Sequence, residues 1–411
     1  MNFISSRSLK DCFLIVALLQ LTLHRMSGQT SEKISAALAE SGFQNIRCVI
    51  GYEDCYVSIE NRTFRWAIDA VSNAFDHISS RIDTSLQINL LILKNNIPQK
   101  LIRINQTDWV DFIQGRLNKE EFSNRISVTQ KTAAASWRLR TSGITNRGEF
   151  KFDLVIYPQL YFESTLKYKR YQSQVNISPA LEFSIWKGNL FRGQLIIPVQ
   201  NNLGYEGDHI RPGLITISQD FRISDNLLGS VRIGNFLNSA YGISSLLRLY
   251  LFNGQWNLEM TGGLVGSSHF VDREWIHSSL ERVTGSLSLS WFWSRFNMEI
   301  KGGLARYINE DYGLFAFCTR KFKETSVGLY AQAGEFGYNG GFFFSVPFLF
   351  RHRSDRKPFR IVLPAQYGFY YNAGTEYYYG QFLRTEPNFV YEDRFIWNEE
   401  IKNNIVNLKN N

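Results

Sequence analysis

Residue types that commonly do chemistry are sparse in this chain of 411 residues. The acidic pairs Glu310 with Asp311 and Asp272 with Glu274 could supply the two carboxylates of a glycosidase. They fall in expected outer loops, where solvated surface charge is the better reading. Of the six histidines, His24 lies in an apolar leader, and His77, His209, His269, His277 and His352 lack metal-ligand spacing. No G-x-S-x-G elbow, P-loop or dinucleotide fingerprint occurs. The expectation is a protein that is not an enzyme and carries no cofactor or metal.

What remains is charge and aromatic surface. Arg248, Glu259, Glu299 and Lys301 sit singly among apolar neighbours, where they could line a wet interior. Arg351, Arg353, Arg356 and Lys357, with His352 and Arg360, make the run 350–360 basic. That run could dock an acidic partner or polysaccharide; a solvated turn near lipid phosphates is the plainer reading. Tyr161, Tyr168, Tyr171, Tyr205, Trp275, Tyr312, Tyr338 and Tyr377 to Tyr379 sit near expected strand ends. Such rings can stack on sugars or form an interfacial girdle. Cys48 and Cys55 flank Gly51 and Tyr52, and a turn there would set them opposite each other. They could form a disulfide in an oxidising compartment or remain two buried thiols.

The elements that must position these residues are strands. In residues 282–293, Val283, Leu287, Leu289, Trp291 and Trp293 alternate with Thr284, Ser286, Ser288 and Ser290. After Ser294 and Arg295 the parity switches to Phe296, Met298, Ile300 and Leu304. A two-residue turn would set Trp293 beside Phe296, Trp291 beside Met298 and Leu289 beside Ile300. Across Asn253 and Gly254, Leu251 should face Trp256, Leu249 face Leu258, Leu247 face Met260 and Arg248 face Glu259. Opposed ions in mid-strand suit a wet lumen better than a sandwich core.

Strand-like runs continue from 149–157 through 175–186, 189–200, 212–223, 227–237, 242–252, 255–266, 312–322, 325–333, 340–349, 358–371 and 376–384. Connections at 187–188, 224–226, 253–254, 294–295 and 323–324 are short; those at 158–174, 201–211, 267–281 and 334–339 are longer. This asymmetry matches short periplasmic turns and longer outer loops. The fold class expected is mainly β: a transmembrane antiparallel β-barrel of about 14 strands, within roughly 12 to 16, preceded by a small periplasmic α+β domain.

That domain is expected in residues 29–135, with helices at 31–42, 63–82 and 109–125 and hairpins at 45–59 and 85–104. Before it, Arg7 and Lys10, the apolar stretch 12–23 and Met26-Ser27-Gly28 read as a cleaved signal peptide over residues 1–28. The barrel would occupy 136–385 and a periplasmic tail 386–411, which could fold back onto the first domain unless the last strand is misplaced. A net charge of +8 and an isoelectric point near 9.2 suit, on an exported protein, lipopolysaccharide or acidic glycans rather than nucleic acid. The location implied is the outer membrane of a Gram-negative bacterium.

The texts VRIGNFLNSAYG (231–242) and FRIVLPAQYGFYYNAGTEYYYGQFL (359–383), together with the order of leader, α+β module and barrel, resemble the YjbH family, also called GfcD-like. The resemblance implies a role in making or exporting an extracellular polysaccharide, with periplasmic and lipoprotein partners. It supplies no catalytic residues. Alternatives from other classes are a general porin, a secretion-system barrel, or a surface lectin that anchors capsule.

Overall fold

The computed structural model describes residues 28–83, 86–165, 169–203, 205–271, 274–335, 337–348, 350, 358–372, 380–388 and 396–408. Residues 1–27 of the expected signal peptide, Tyr168, Asp272, His352, the basic residues Arg351, Arg353, Arg356 and Lys357, and Tyr377 to Tyr379 lie outside them. The chain is mainly β, with 56% of residues in strands.

The first part builds a five-stranded sheet from β1 (Gln44–Ile50), β2 (Asp54–Glu60), β3 (Gln87–Lys94), β4 (Ile97–Asn105) and β5 (Ser127–Thr129) in sequential order. The β2–β3 pair is parallel, and its crossover is helix α2 (Ala67–Ser79). Ala67, Ala70, Val71, Ala74, Phe75 and Ile78 of that helix form one buried stripe at helical spacing. Helix α1 spans residues 28–40. The single helix expected over 109–125 is two, α3 (Gln106–Gln114) and α4 (Lys119–Arg125). Gly115 ends the first in the left-handed region, and the Asn118 side chain caps the second by accepting from the Glu121 N–H. Helix α5 (Ala133–Leu139) was not expected; its buried Ala135 and Leu139 pack with Leu91, Leu93 and Leu101.

The remainder forms one sheet of 15 strands. These are β6 (Phe152–Thr165), β7 (Lys169–Phe183), β8 (Asn189–Asn201), β9 (Arg211–Arg222), β10 (Leu227–Phe236), β11 (Ala240–Leu251), β12 (Trp256–Val271), β13 (Glu274–His277), β14 (Arg282–Trp293), β15 (Met298–Arg306), β16 (Tyr312–Phe322), β17 (Thr325–Gly334), β18 (Gly337–Pro347), β19 (Phe359–Val362) and β20 (Gln366–Asn372). Sequential neighbours pair antiparallel, except that β13 is a short hairpin arm on β12. At the ends of the sheet, β19 pairs in parallel with β6 while β20 pairs with β18. Only Leu363, Pro364 and Ala365 separate β19 from β20. Pro364, which has no N–H, divides the single strand expected over 358–371.

The expected register across residues 252–255 is observed, with Arg248 opposite Glu259. The hairpin at 294–297 differs. A 3-10 turn at Ser294–Phe296 and a left-handed Asn297 consume four residues, so Trp293 faces Met298 and Trp291 faces Ile300. The shift is two residues, so every side chain keeps its face. The long loops expected at 158–174 and 334–339 shrink, because β6, β7, β17 and β18 continue through those stretches. The strand expected at 376–384 is not formed where it is described: residues 380–388 are irregular.

The faces of the large sheet are inverted relative to a water-soluble protein. Leu287 is 46% and Leu289 42% exposed, whereas Ser288 between them is 1% exposed. The same holds for exposed Ile233, Ile243, Met260, Leu304, Leu314 and Leu329 against buried Asn176, Gln194, Ser218, Ser230, Asn257, Thr319 and Gln332. Among the described residues, no helix is long and apolar enough to cross a membrane.

Candidate functional site

The polar face curls around a strap, residues 380–388, which touches strands from across the sheet order. The Gln159 side chain of β6 donates to the Pro387 carbonyl (3.0 Å), and that of Asn388 donates to the Gln366 carbonyl of β20 (2.8 Å). Arg192 of β8 and Arg232 of β10 each reach Glu386 at 2.8 Å. Phe382 packs against Tyr307, Phe315 and Phe317. The backbone N–H groups of Leu237 and Ile308 donate to the Arg384 and Gln381 carbonyls.

Beyond the strap, helix α6 (Asn398–Val406) packs into the first domain while Glu400 and Asn398 keep contact with the large sheet. Its Ile401, Ile405 and Val406 belong to the core of the five-stranded domain, with Ile34, Val71, Trp109 and Phe122. At the junction, Trp397 stacks on Phe292, and its Nε1 donates to Glu299 (2.9 Å). Lys321 lies between Glu400 (2.8 Å) and Glu299 (3.4 Å). The strap takes the place of the expected last strand, and the tail folds back onto the first domain, as one of the two alternatives for it had it; that it does so as a helix was not expected, since neither segment has a periodic signal of its own.

The first domain seats on the short-turn end of the sheet. Asn95 and Asn96 form a left-handed turn between β3 and β4. Buried Glu60 fixes that turn by accepting both of its N–H groups, at 2.9 and 2.8 Å. Asn95 in turn accepts from the Gly188 N–H and donates to Asp220. Asp225 accepts from the N–H groups of Thr132 and Ala133 at the start of α5, where a carboxylate complements the helix dipole. Arg65 makes a two-pronged pair with Glu324 at 2.7 Å. Arg360, at the end of the basic run, is on β19 and pairs with Asp153 at 2.7 and 2.6 Å.

Three of the four charged residues singled out in the sequence meet in one cluster. Glu259 accepts from Arg248 (3.0 Å) and from Lys301 (2.9 Å). Glu299 bonds Trp397 and Lys321 instead. All four line a cavity of about 460 Å³, together with Arg192, Arg232, Lys321 and Glu386. Arg192 and Arg232 were missed, although their apolar neighbours Phe191, Ile233 and Val231 give them the parity signal that marked Arg248. A second cavity of about 210 Å³ lies beside Phe382, Leu383 and Thr385.

The expected opposition of Cys48 and Cys55 is not observed. The turn falls one residue later, at Tyr52 and Glu53 with the Gly51 N–H donating to the Asp54 carbonyl, so that Cys55 pairs with Ile50 and Cys48 with Val57. Both are buried free thiols. A hydrogen bond with Cys48, and then burial, push the Cys55 thiol well above its ordinary range.

The large sheet thus exposes apolar residues on one face and gathers polar and charged residues, with the strap packed against them, on the other. Residues 17–365 match the family YjbH, described as "Exopolysaccharide biosynthesis protein YbjH". The chain belongs to that family. A search of curated proteins gave no match.

Proposed function

We propose that this chain is an outer-membrane β-barrel protein, not an enzyme, that assists export or assembly of an extracellular or capsular polysaccharide. The observation that carries the reading is the inversion of faces on the large sheet, because exposed Leu, Ile and Val rows fit lipid while Ser, Asn, Arg and Glu fit an enclosed aqueous interior. In this reading β19 and β20 act as one strand that joins both ends of the sheet. Seven strands from β6 to β12, five from β14 to β18 and this joint strand make an odd number, for which a parallel closing pair such as β19 with β6 is required. The five-stranded domain then lies in the periplasm, where it can meet periplasmic or lipoprotein partners, and the opposite rim meets lipopolysaccharide.

An odd number of crossings would leave the chain at the outer rim. The strap returns it through the interior to α6, and a filled interior argues against a general porin. Deleting the gene should lower surface polysaccharide while leaving precursor synthesis intact; unchanged surface polysaccharide refutes the role. In planar bilayers the purified protein should pass little steady current, whereas a porin would conduct freely.

A further inference from the structure

The interior holds a site whose occupant comes from the chain itself. Arg192 Nη1 donates to Glu386 Oε2 and Arg232 Nη2 to Glu386 Oε1, each at 2.8 Å, so two guanidinium groups share one carboxylate. Arg192 is oriented from behind by Glu182 (2.8 Å), which also accepts from the Tyr157 hydroxyl. Strand β9 runs between the two arginines and sets Thr216 beside Arg192 and Ser218 beside Arg232. Both hydroxyl residues, Lys94 and both arginines face the cavity of about 460 Å³, a size within the range of small-ligand sites.

We propose that Arg192 and Arg232 form a clamp for the carboxylate of an acidic saccharide, such as a uronic acid unit, and that Glu386 occupies it as a built-in substitute. The proposal rests on the polysaccharide reading above and names the sugar class. Planar guanidinium forks match carboxylate geometry, and hydroxyl groups alongside suit sugar hydroxyls. Without Glu386, Arg192 keeps only Glu182 and the half-buried Arg232 loses its carboxylate, so another anion is the natural replacement. The strap residues 381–388 form no strand ladder, so exchange breaks few backbone hydrogen bonds.

The test uses the full-length protein in phospholipid nanodiscs and fluorescently labelled oligogalacturonate, with a labelled malto-oligosaccharide as neutral control. E386Q retains the side-chain shape and one oxygen acceptor but removes the competing charge. It should bind oligogalacturonate at least tenfold more tightly than wild type, lose that gain with added salt, and lose it when R192Q and R232Q are combined with it. No gain in folded E386Q, or an equal gain for the neutral oligomer, overturns the clamp. Should E386Q not fold, T385C, beside Arg232 on the strap and combined with C318S to remove the exposed thiol, reports displacement of the strap. Oligogalacturonate should speed its maleimide labelling several-fold, and an unchanged rate overturns the proposal. Loss of surface polysaccharide on gene deletion with no gain in E386Q removes only the clamp; the reverse pair of results removes only the export role.

Discussion

Replacing Leu289 by Lys tests the facing of the whole sheet. A strand rises ~3.4 Å per residue, and a tilt of ~40° leaves ~2.6 Å of depth per residue. Trp293 stands at the short-turn rim, stacked on Trp291 and in edge contact with Phe296, as an interfacial aromatic should. On the proposed barrel, Leu289, four positions back along β14, would lie ~10 Å into an apolar band ~25 Å tall, close to its middle. A lysine there should cost ~2 to 4 kcal/mol, and the same change at Trp293 only ~0 to 1 kcal/mol. Ser286 lies on the other face, on the wall of the smaller cavity, and bonds Thr261 at 2.8 Å. S286K should cost about 1 kcal/mol for that hydrogen bond. With a urea slope of ~1 to 3 kcal/mol per molar, a loss near ~3 kcal/mol moves the unfolding midpoint by ~1 to 3 M. Urea titration in phospholipid vesicles, followed by heat-modifiable gel mobility, reads all three variants. Equal shifts at 286 and 289, or no gradient between 289 and 293, would refute the facing and with it the barrel.

Three further outcomes follow from the site. I401A removes a side chain 1% exposed in the core of the first domain and should destabilise that domain by ~2 to 5 kcal/mol, read from its own denaturation transition. K321M removes the cation shared by Glu400 and Glu299 and should cost ~3 to 5 kcal/mol, while the double variant K321M/E400L should recover part of it; a double-mutant cycle showing no recovery would contradict the pairing. The raised pKa of Cys55 keeps it protonated through neutral pH, so iodoacetamide at pH 7 should leave it unmodified in the folded protein. Labelling should set in as pH rises toward the raised pKa or on unfolding, and rapid native labelling at pH 7 counts against this burial.

Alternation gave the strand faces because a sheet with two different environments imposes a period of two that no local detail disturbs. The hairpin at 294–297 illustrates this, since a four-residue turn in place of two moves each partner but leaves each face unchanged. Arg248 and Glu259 could be paired from the sequence because Asn253 and Gly254 fix the register between them. The strap could not be found that way. Residues 376–384 carry the aromatic text of a strand, yet Phe382 uses its ring against Phe315 and Phe317 inside the sheet. Glu386 has no periodic context, and its partners lie about 150 to 190 residues away along the chain. Likewise Ile401 and Ile405 resemble an ordinary amphipathic tail, and only the packing shows which domain they complete.

Because α6 helps complete the core of the first domain and follows the strap in the chain, maturation of the two parts of the molecule is coupled. Residues 396–408 are made after every strand of the large sheet, so the earlier domain waits with three apolar positions unfilled. Closing a loop of that length costs entropy that grows slowly with length and is offset only when strap, sheet and helix all engage. Completion of the first domain therefore draws on the chain segment that directly follows the strap packed on the polar face of the sheet. A chain that fails this step keeps an exposed apolar groove, the kind of surface by which quality-control proteases and chaperones recognise unfinished proteins.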